Sequence, residues 1–264
     1  MRILLTIAGG LVFLAGLQLF VFPERTDEFF AWTIDIPLTA AFLGAGYWAS
    51  VALEWGAARE GLWGNARIAV PSVFVFTSLT LVATIVHLDL FHLESSIDLS
   101  TRMVTWAWIA IYVSVPVFLA ALFVRQIRMP GDDPPRLSSI PKPMGFVLSI
   151  QAILLTALGA YLFVAPENAM SLWPWPLTPL TGRAVGAWVF SLGVAAAHAL
   201  WENDLRRIRV AAAGYAAVAV LQGIALARFP DIVAWGEPQA IVYVVVLASM
   251  VGVGLGALWL GRDL

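Results

Sequence analysis

Long apolar stretches alternate with short polar segments along the whole chain. A bilayer core is crossed by a helix of about 20 apolar residues, and the sequence contains eight uncharged stretches of that order. They are Ile3–Phe22, Ile36–Leu53, Ile68–Leu88, Met103–Val124, Met144–Ala165, Ala184–Leu200, Val210–Ala227 and Ala240–Gly261. Because lipid offers the backbone no hydrogen-bond partner, each stretch is predicted to be a transmembrane helix.

The second half of the chain repeats the first. Leu19–Glu24 aligns with Leu162–Glu167 at a shift of 143 residues, and after a one-residue gap the shift becomes 142. The other matched pairs are Gly16 and Gly159, Trp32 and Trp175, Gly44 and Gly186, Glu60 and Glu202, Arg67 and Arg209, and Asp89 and Asp231. Matches of Pro-Glu, Trp, Arg and Asp in one register indicate an internal duplication rather than chance apolar similarity.

These patterns predict an all-α polytopic membrane protein with eight helices in two tandem four-helix repeats. The first repeat covers residues 1–128, a proline-rich linker covers 129–143, and the second repeat covers 144–264. Because each repeat has an even number of spans, both insert with the same orientation. A pseudo-two-fold axis should then lie along the membrane normal, unlike the inverted repeats of many transporters. We expect a pocket at the interface between the repeats.

Basic residues predict the orientation in the cell membrane. Eleven of the fifteen basic residues fall on the side of the N-terminus, and four fall on the opposite side. The positive-inside rule therefore predicts that both termini are cytoplasmic.

Composition narrows the class of protein. The chain is 61% hydrophobic and 12% charged, with a mean hydropathy of +0.86 and a net charge of −2. An ordinary soluble domain is about a quarter charged, so the lipid bilayer is the expected partner, and nucleic acid is not. The chain has no cysteine, which excludes disulfides and thiolate metal sites. It also has no Walker loop, dinucleotide fingerprint or nucleophile elbow, and no catalytic residue is assigned.

One segment is rich in metal-ligand side chains. At the end of the third span lie His87, Asp89, His92 and Glu94. Imidazole and carboxylate together suit a divalent transition metal, although histidines five residues apart point about 140° apart around a helix. The repeat replaces the two histidines by Phe229 and Ala234. The alternative is that they bond to water, lipid headgroups or loop carbonyls.

A second candidate site lies on the outer face. Arg183 begins the sixth span, where the first half has Ala41. Its expected companions for binding a ligand are the outer carboxylates and the matched tryptophans, namely Glu24, Glu167, Asp231, Trp32 and Trp175. The tryptophans fit either an aromatic belt at the headgroups or a lid over a pocket.

Uncharged groups dominate the predicted span interiors. Every charged residue falls near the end of a span or in a loop, which argues against an ion pump. The deep polar side chains are Gln18, Gln151, Gln222, Thr77, Thr80, Thr84 and Ser114. They are expected to hydrogen-bond between helices or to line a pocket.

Three functions from different classes follow. The first is the binding or transport of a small neutral or lipid-like molecule between the repeats. The second is a structural or accessory role in a membrane complex, including assembly with a second copy. The third is a metal-dependent membrane enzyme that uses the outer-face histidines, and the sequence favours the first over these two.

Overall fold

The computed structural model describes residues 2–263, whose secondary structure is helical apart from an isolated bridge between Trp32 and Phe91. Seven of the described helices are long and apolar enough to cross a membrane. We label the long helices α1 (Arg2–Gly16, continued by a π-helical turn over Leu17–Val21), α2 (Pro37–Arg59), α3 (Ala69–Val86), α4 (Leu99–Ile127), α5 (Lys142–Val164), α6 (Pro179–Glu202), α7 (Leu205–Arg228) and α8 (Pro238–Leu260).

Helix α2 is the long helix outside the set of seven. It is 23 residues long and coincides with the predicted span Ile36–Leu53, but thirteen of its residues are buried among the other helices. A helix enclosed by protein needs less apolar surface than a helix that faces lipid. The seven apolar helices confirm a multi-pass membrane architecture. The eighth crossing, by α2, stays a prediction.

Several helices run more than a turn beyond the apolar stretches. Helix α6 begins at Pro179 because the side chains of Thr178 and Thr181 bond reciprocally to each other's backbone N–H groups. Helix α7 begins at Leu205 because the Asp204 carboxylate accepts from the Arg207 N–H. Polar capping side chains determine where these helices begin. The start of the apolar stretch therefore predicts a helix start that is too late in the sequence.

The helices pack in matched pairs. Helix α1 packs on α2 and α5 packs on α6, while α3 packs on α4 and α7 packs on α8. Across the halves, α2 packs on α7, and α3 packs on α6. If each helix is replaced by its counterpart in the other half, the same set of neighbouring pairs results. The third helix of each half therefore contacts the other half more than its own second helix, so the halves interlock.

Glycines let paired helices approach backbone to backbone. A Cβ atom on Gly186 would lie 2.9 Å from the backbone nitrogen of Phe163 and 2.9 Å from the carbonyl oxygen of Gly159. A Cβ atom on Gly44 would lie 2.5 Å from the backbone nitrogen of Phe20. Small residues that allow such close approach are typical of membrane helix interfaces.

We predict that Gly186→Ala lowers the apparent melting temperature in detergent, because its methyl group meets backbone atoms that cannot move aside. Overpacking of this kind costs about 1–3 kcal/mol. The matched control is Gly252→Ala in α8, where nothing lies within 4 Å of the added atom. The control should be neutral or stabilising, and equal melting temperatures for both variants would contradict the packing.

A buried ion network joins the two halves at the end of the bundle that carries the linker. The Glu202 carboxylate is fully buried and accepts from Arg67 at 2.9 Å and from Arg207 at 3.0 Å. Asp133 of the linker also pairs with Arg67. The matched residues Glu60 and Arg67 suggest an ion pair in each half, but Arg67 instead crosses to Glu202.

Asp204 fastens the linker to the turn between α6 and α7. Its carboxylate accepts from the backbone nitrogens of Arg207 at 2.9 Å and of Ser138 at 3.2 Å, and also from that of Leu137. Burial raises the pKa of Asp204, but these backbone N–H groups outweigh it and hold the pKa below its ordinary value.

We predict that Asp204→Ala lowers the melting temperature at neutral pH, since loss of a helix cap costs about 0.5–2 kcal/mol. A carboxyl whose folded pKa is depressed stabilises the fold above its unfolded pKa and loses that effect as pH falls through the folded pKa. The gap between wild type and variant should therefore shrink below the ordinary value of 3.8.

Melting curves at several pH values measure that gap. Asp132→Ala, at an exposed position of the same linker, is the control and should leave the curve unchanged. A gap that is constant from neutral pH down to pH values well below 3.8 would contradict this role of Asp204.

Candidate functional site

Arg183 contacts a histidine in the structure, whereas the sequence suggests Glu167 or Asp231 as its partner. Nη1 of Arg183, in the first turns of α6, lies 2.8 Å from Nε2 of His87 at the end of α3. Because arginine can only donate, Nε2 accepts and the imidazole carries its proton on Nδ1. The contact joins the two halves of the chain.

The surroundings of His87 disfavour its protonated form. Burial and the adjacent Arg183 guanidinium lower the pKa of His87, while Asp89 and Glu167 raise it to a smaller extent. His87 and Arg183 are half-buried, whereas Asp89 and Glu167 are exposed and act on His87 only through their charge. Glu24 and Asp231 lie exposed at the surface of the outer loops.

His92 lies apart from His87 and Arg183. Its side chain is buried, with Nδ1 2.9 Å from the carbonyl oxygen of Phe30 and Nε2 3.0 Å from the Thr33 hydroxyl. Glu94 is exposed and accepts from Ser96. Within residues 2–263 no three His, Asp or Glu side chains group to hold a metal. The structure therefore does not bring the predicted ligand set together, and the metal site stays a sequence prediction.

The matched tryptophans are core residues. Trp32 is 3% exposed and Trp175 is 2% exposed, so neither lies in an aromatic belt at the headgroups. The Trp175 indole donates to the Thr39 hydroxyl of α2 at 2.9 Å and thus bridges the halves. Trp173, in the same loop, packs against Tyr243 with ring centroids 5.4 Å apart.

A cavity of about 520 Å³ lies beneath this loop, between α5, α6, α7 and α8. Its walls are aliphatic and aromatic, and Trp173 stands at one end. Gln222 adds a polar group, which bonds to the Phe42 carbonyl oxygen at 3.0 Å and to the Tyr243 hydroxyl at 3.1 Å. Nε1 of Trp173 is buried and has no partner among the described residues. Apolar walls with a few polar groups are typical of small-molecule sites.

Residue size explains why this cavity forms in the second half. Three of its lining residues are Val189, Val218 and Met250. The residues 142 positions earlier are Tyr47, Phe76 and Trp108. Those three aromatic rings pack together, with the Tyr47 centroid 5.9 Å from that of Phe76 and 6.4 Å from that of Trp108. The first half thus fills with rings the volume that smaller side chains leave empty in the second.

The larger cavity opens sideways, between α5 and α8. Three of its lining residues, Leu154, Tyr161 and Val242, are also exposed on the outside of the bundle. In a membrane this surface faces lipid. The expected pocket between the halves is thus not the larger one, which lies within the second half apart from Phe42.

A smaller cavity of about 110 Å³ does lie between the halves, lined by α1–α4 together with α6 and α7. Glu54 of α2 lines it and is 3% exposed. Glu54 therefore lies inside the bundle, although the sequence places it at the end of a predicted span. The apolar stretch ends at Leu53, but the helix continues to Arg59 and carries Glu54 inward. A comparison with Ala196, 142 positions later, could have drawn attention to this carboxylate.

These features define a multi-pass, all-helical membrane protein with cavities between its helices. Comparison with known protein families, with functionally characterised proteins and with solved structures finds no match for the chain. The site geometry must therefore carry the functional argument.

We predict that Arg183→Gln raises the pKa of His87, because the variant removes a positive charge and leaves Asp89 and Glu167 as neighbours. Histidine-selective NMR titration of the protein in nanodiscs measures this shift, with His92 and His198 as internal references.

The control is Arg25→Gln, since Arg25 lies in an outer loop and pairs with Glu28. It should leave the titration of His87 unchanged. An unchanged or lowered pKa of His87 in Arg183→Gln would show that the guanidinium is not the dominant charge there.

Proposed function

We propose that this protein binds a neutral, lipid-like molecule in the 520 Å³ cavity, which the molecule enters from the bilayer between α5 and α8. The observation that carries the proposal is an apolar cavity of this size with an unsatisfied donor at its end. Pockets for small molecules typically measure about 300–1,000 Å³, so a compact lipid or most of a single chain fits.

The polar groups define the head of the ligand. Nε1 of Trp173 can only donate, and it has no acceptor among the described residues. The Gln222 carboxamide already holds Tyr243 and Phe42. A ligand with one acceptor oxygen, such as an alcohol or a carbonyl compound, therefore satisfies Trp173 while its apolar body contacts the walls. An anionic head would find no basic partner among the described lining residues.

The proposal includes eight crossings arranged as a duplicated pair of four-helix units. Matched backbone contacts support the duplication. The His92 nitrogen donates to the Ala31 carbonyl oxygen at 2.9 Å, and the Ala234 nitrogen donates to the Pro174 carbonyl oxygen at 2.9 Å. These two bonds join the same pair of loops in each half. The helix pairs in contact, which are the same when the two halves are interchanged, also support the duplication.

We also propose that both termini lie in the cytoplasm. The ion network around Glu202 and the arginine-rich turns then face the cytoplasm, as the positive-inside rule requires. The mouth of the large cavity then lies toward the outer leaflet, near Trp173 and Tyr161.

A substitution that borrows from the first half tests the binding site. Met250→Trp places at the cavity the residue that the first half has at position 108, and its larger ring should narrow the ligand space. We expect a long-chain alcohol, added as a probe, to bind the wild type at one copy per chain and to bind the variant at least tenfold more weakly. Native mass spectrometry from detergent counts the bound copies.

Two further variants keep this test decisive. Met103→Trp makes the same change at an exposed position of α4 and should bind the probe as the wild type does. If Met250→Trp does not fold, Val189→Phe narrows the same cavity from α6. Its control is Val245→Phe, at an exposed position of α8. Equal binding by the cavity-narrowing and control variants would refute the site. Co-purification of a stable protein partner without bound lipid would instead favour the accessory role.

A further inference from the structure

A second, chemically different site lies in the cavity between the halves. Oε2 of Glu54 is buried and has no hydrogen-bond partner among the described residues, although its side chain lines a cavity of about 110 Å³. The proposed lipid pocket does not use this carboxyl group. The two cavities are neighbours that share Leu192 and Val218 as a common wall.

A lone carboxylate in apolar surroundings is costly. Burial of an unpaired charge disfavours the ionised form strongly, unless a cation or several donors compensate. Among the described residues that line this cavity, none is an arginine, lysine or histidine. The carboxyl group must therefore hold a proton, or it must pair with a cation that is not part of the chain.

Three serine hydroxyl groups line the cavity, and each donates to a carbonyl oxygen of its own helix. Ser50 donates to the Gly46 carbonyl oxygen at 3.1 Å, Ser72 donates to that of Ala69 at 3.2 Å, and Ser191 to that of Ala187 at 2.7 Å. Each serine hydroxyl donates its hydrogen bond within its own helix, and its oxygen retains lone pairs that can accept. The polar lining of this cavity therefore accepts hydrogen bonds, and it is complementary to a donor.

Aromatic rings form the remaining wall. Phe76 packs on Trp188 with centroids 4.0 Å apart, and on Tyr112 with centroids 6.1 Å apart. The faces of such rings attract cations, most strongly when water is excluded. A carboxylate, acceptor oxygens and aromatic rings together are the surroundings that suit an organic ammonium group.

We propose that Glu54 binds the protonated amine of a small, apolar organic cation. The size of the cavity limits the group that enters, because an apolar protein cavity of about 150 Å³ holds benzene. Leu11 of α1 is exposed on the outside of the bundle, and Val115 of α4 is half-buried, so a larger apolar body extends between these helices toward lipid. The repeat has Ala196 in place of Glu54, so each chain has one such site.

Benzylamine and benzyl alcohol form a matched pair of probes, since they differ mainly in the charged ammonium group. We expect wild-type protein in nanodiscs to bind benzylamine at one copy per chain, and at least tenfold more tightly than benzyl alcohol. Glu54→Gln keeps the size of the side chain and should weaken benzylamine binding at least tenfold while leaving benzyl alcohol unchanged. Isothermal titration calorimetry at neutral pH and constant salt gives both affinities.

Three variants serve as controls. Glu60→Gln removes a carboxylate just beyond the end of α2 and should bind benzylamine as the wild type does. Glu54→Asp keeps the charge and should retain preference for the amine, which separates a charge effect from misfolding. Met250→Trp narrows the other cavity and should leave amine binding intact, so that failure of the lipid proposal and failure of this one can be told apart.

Each remaining outcome overturns the proposal. Equal affinity of the wild type for the amine and the alcohol would mean that the carboxyl group holds a proton and takes no cation. Equal benzylamine binding by the wild type and by a folded Glu54→Gln would place the amine elsewhere. Absence of saturable benzylamine binding would mean that the cavity is closed to such cations.

Discussion

Hydrocarbon offers no hydrogen-bond partner, so every polar group that a helix carries inward must find its partner within the protein. Gln151 and Gln222 meet this requirement by bridging helices, whereas Thr77 and Ser114 bond to their own helix. Gln151 joins α5 to α8 by donating to Ser249 at 2.8 Å, and it accepts from Tyr215 of α7 at 3.2 Å. Gln222 joins α7 to α2. Two of the groups left without a partner, on Glu54 and Trp173, line the two cavities. Function is best sought where the requirement is not met.

Function, on this interpretation, lies in the differences between two similar halves. The close helix pairs at Gly44 and Gly186 are alike, as are the backbone bonds that join the outer loops. The proposed sites lie where side chains differ, with rings against aliphatic side chains at one cavity and Glu54 against Ala196 at the other. A frame that is held by backbone contacts tolerates such differences, because those contacts do not depend on the side chains that line the cavities.

The candidate sites were only partly predictable. Sequence patterns place Arg183 and His87 at span ends on the same side, but they do not predict that the two side chains pair. The four metal-ligand candidates do not gather, because His92 turns inward to the loop at Phe30 and Thr33. Glu54 was missed because a charge after an apolar run is interpreted as the end of a span. Its burial depends on α1, α3, α4, α6 and α7, which come from distant parts of the chain.

The sequence by itself determined the class of protein and the positions of the apolar helices. These properties follow from local requirements, since a segment in lipid must satisfy its own backbone and remain uncharged over its length. Only the tertiary structure decided that α3 packs on α6, that α2 is enclosed, and that cavities remain at Glu54 and Trp173. Packing depends on how side chains from separate helices fill a shared volume, and a linear pattern does not specify which helices meet.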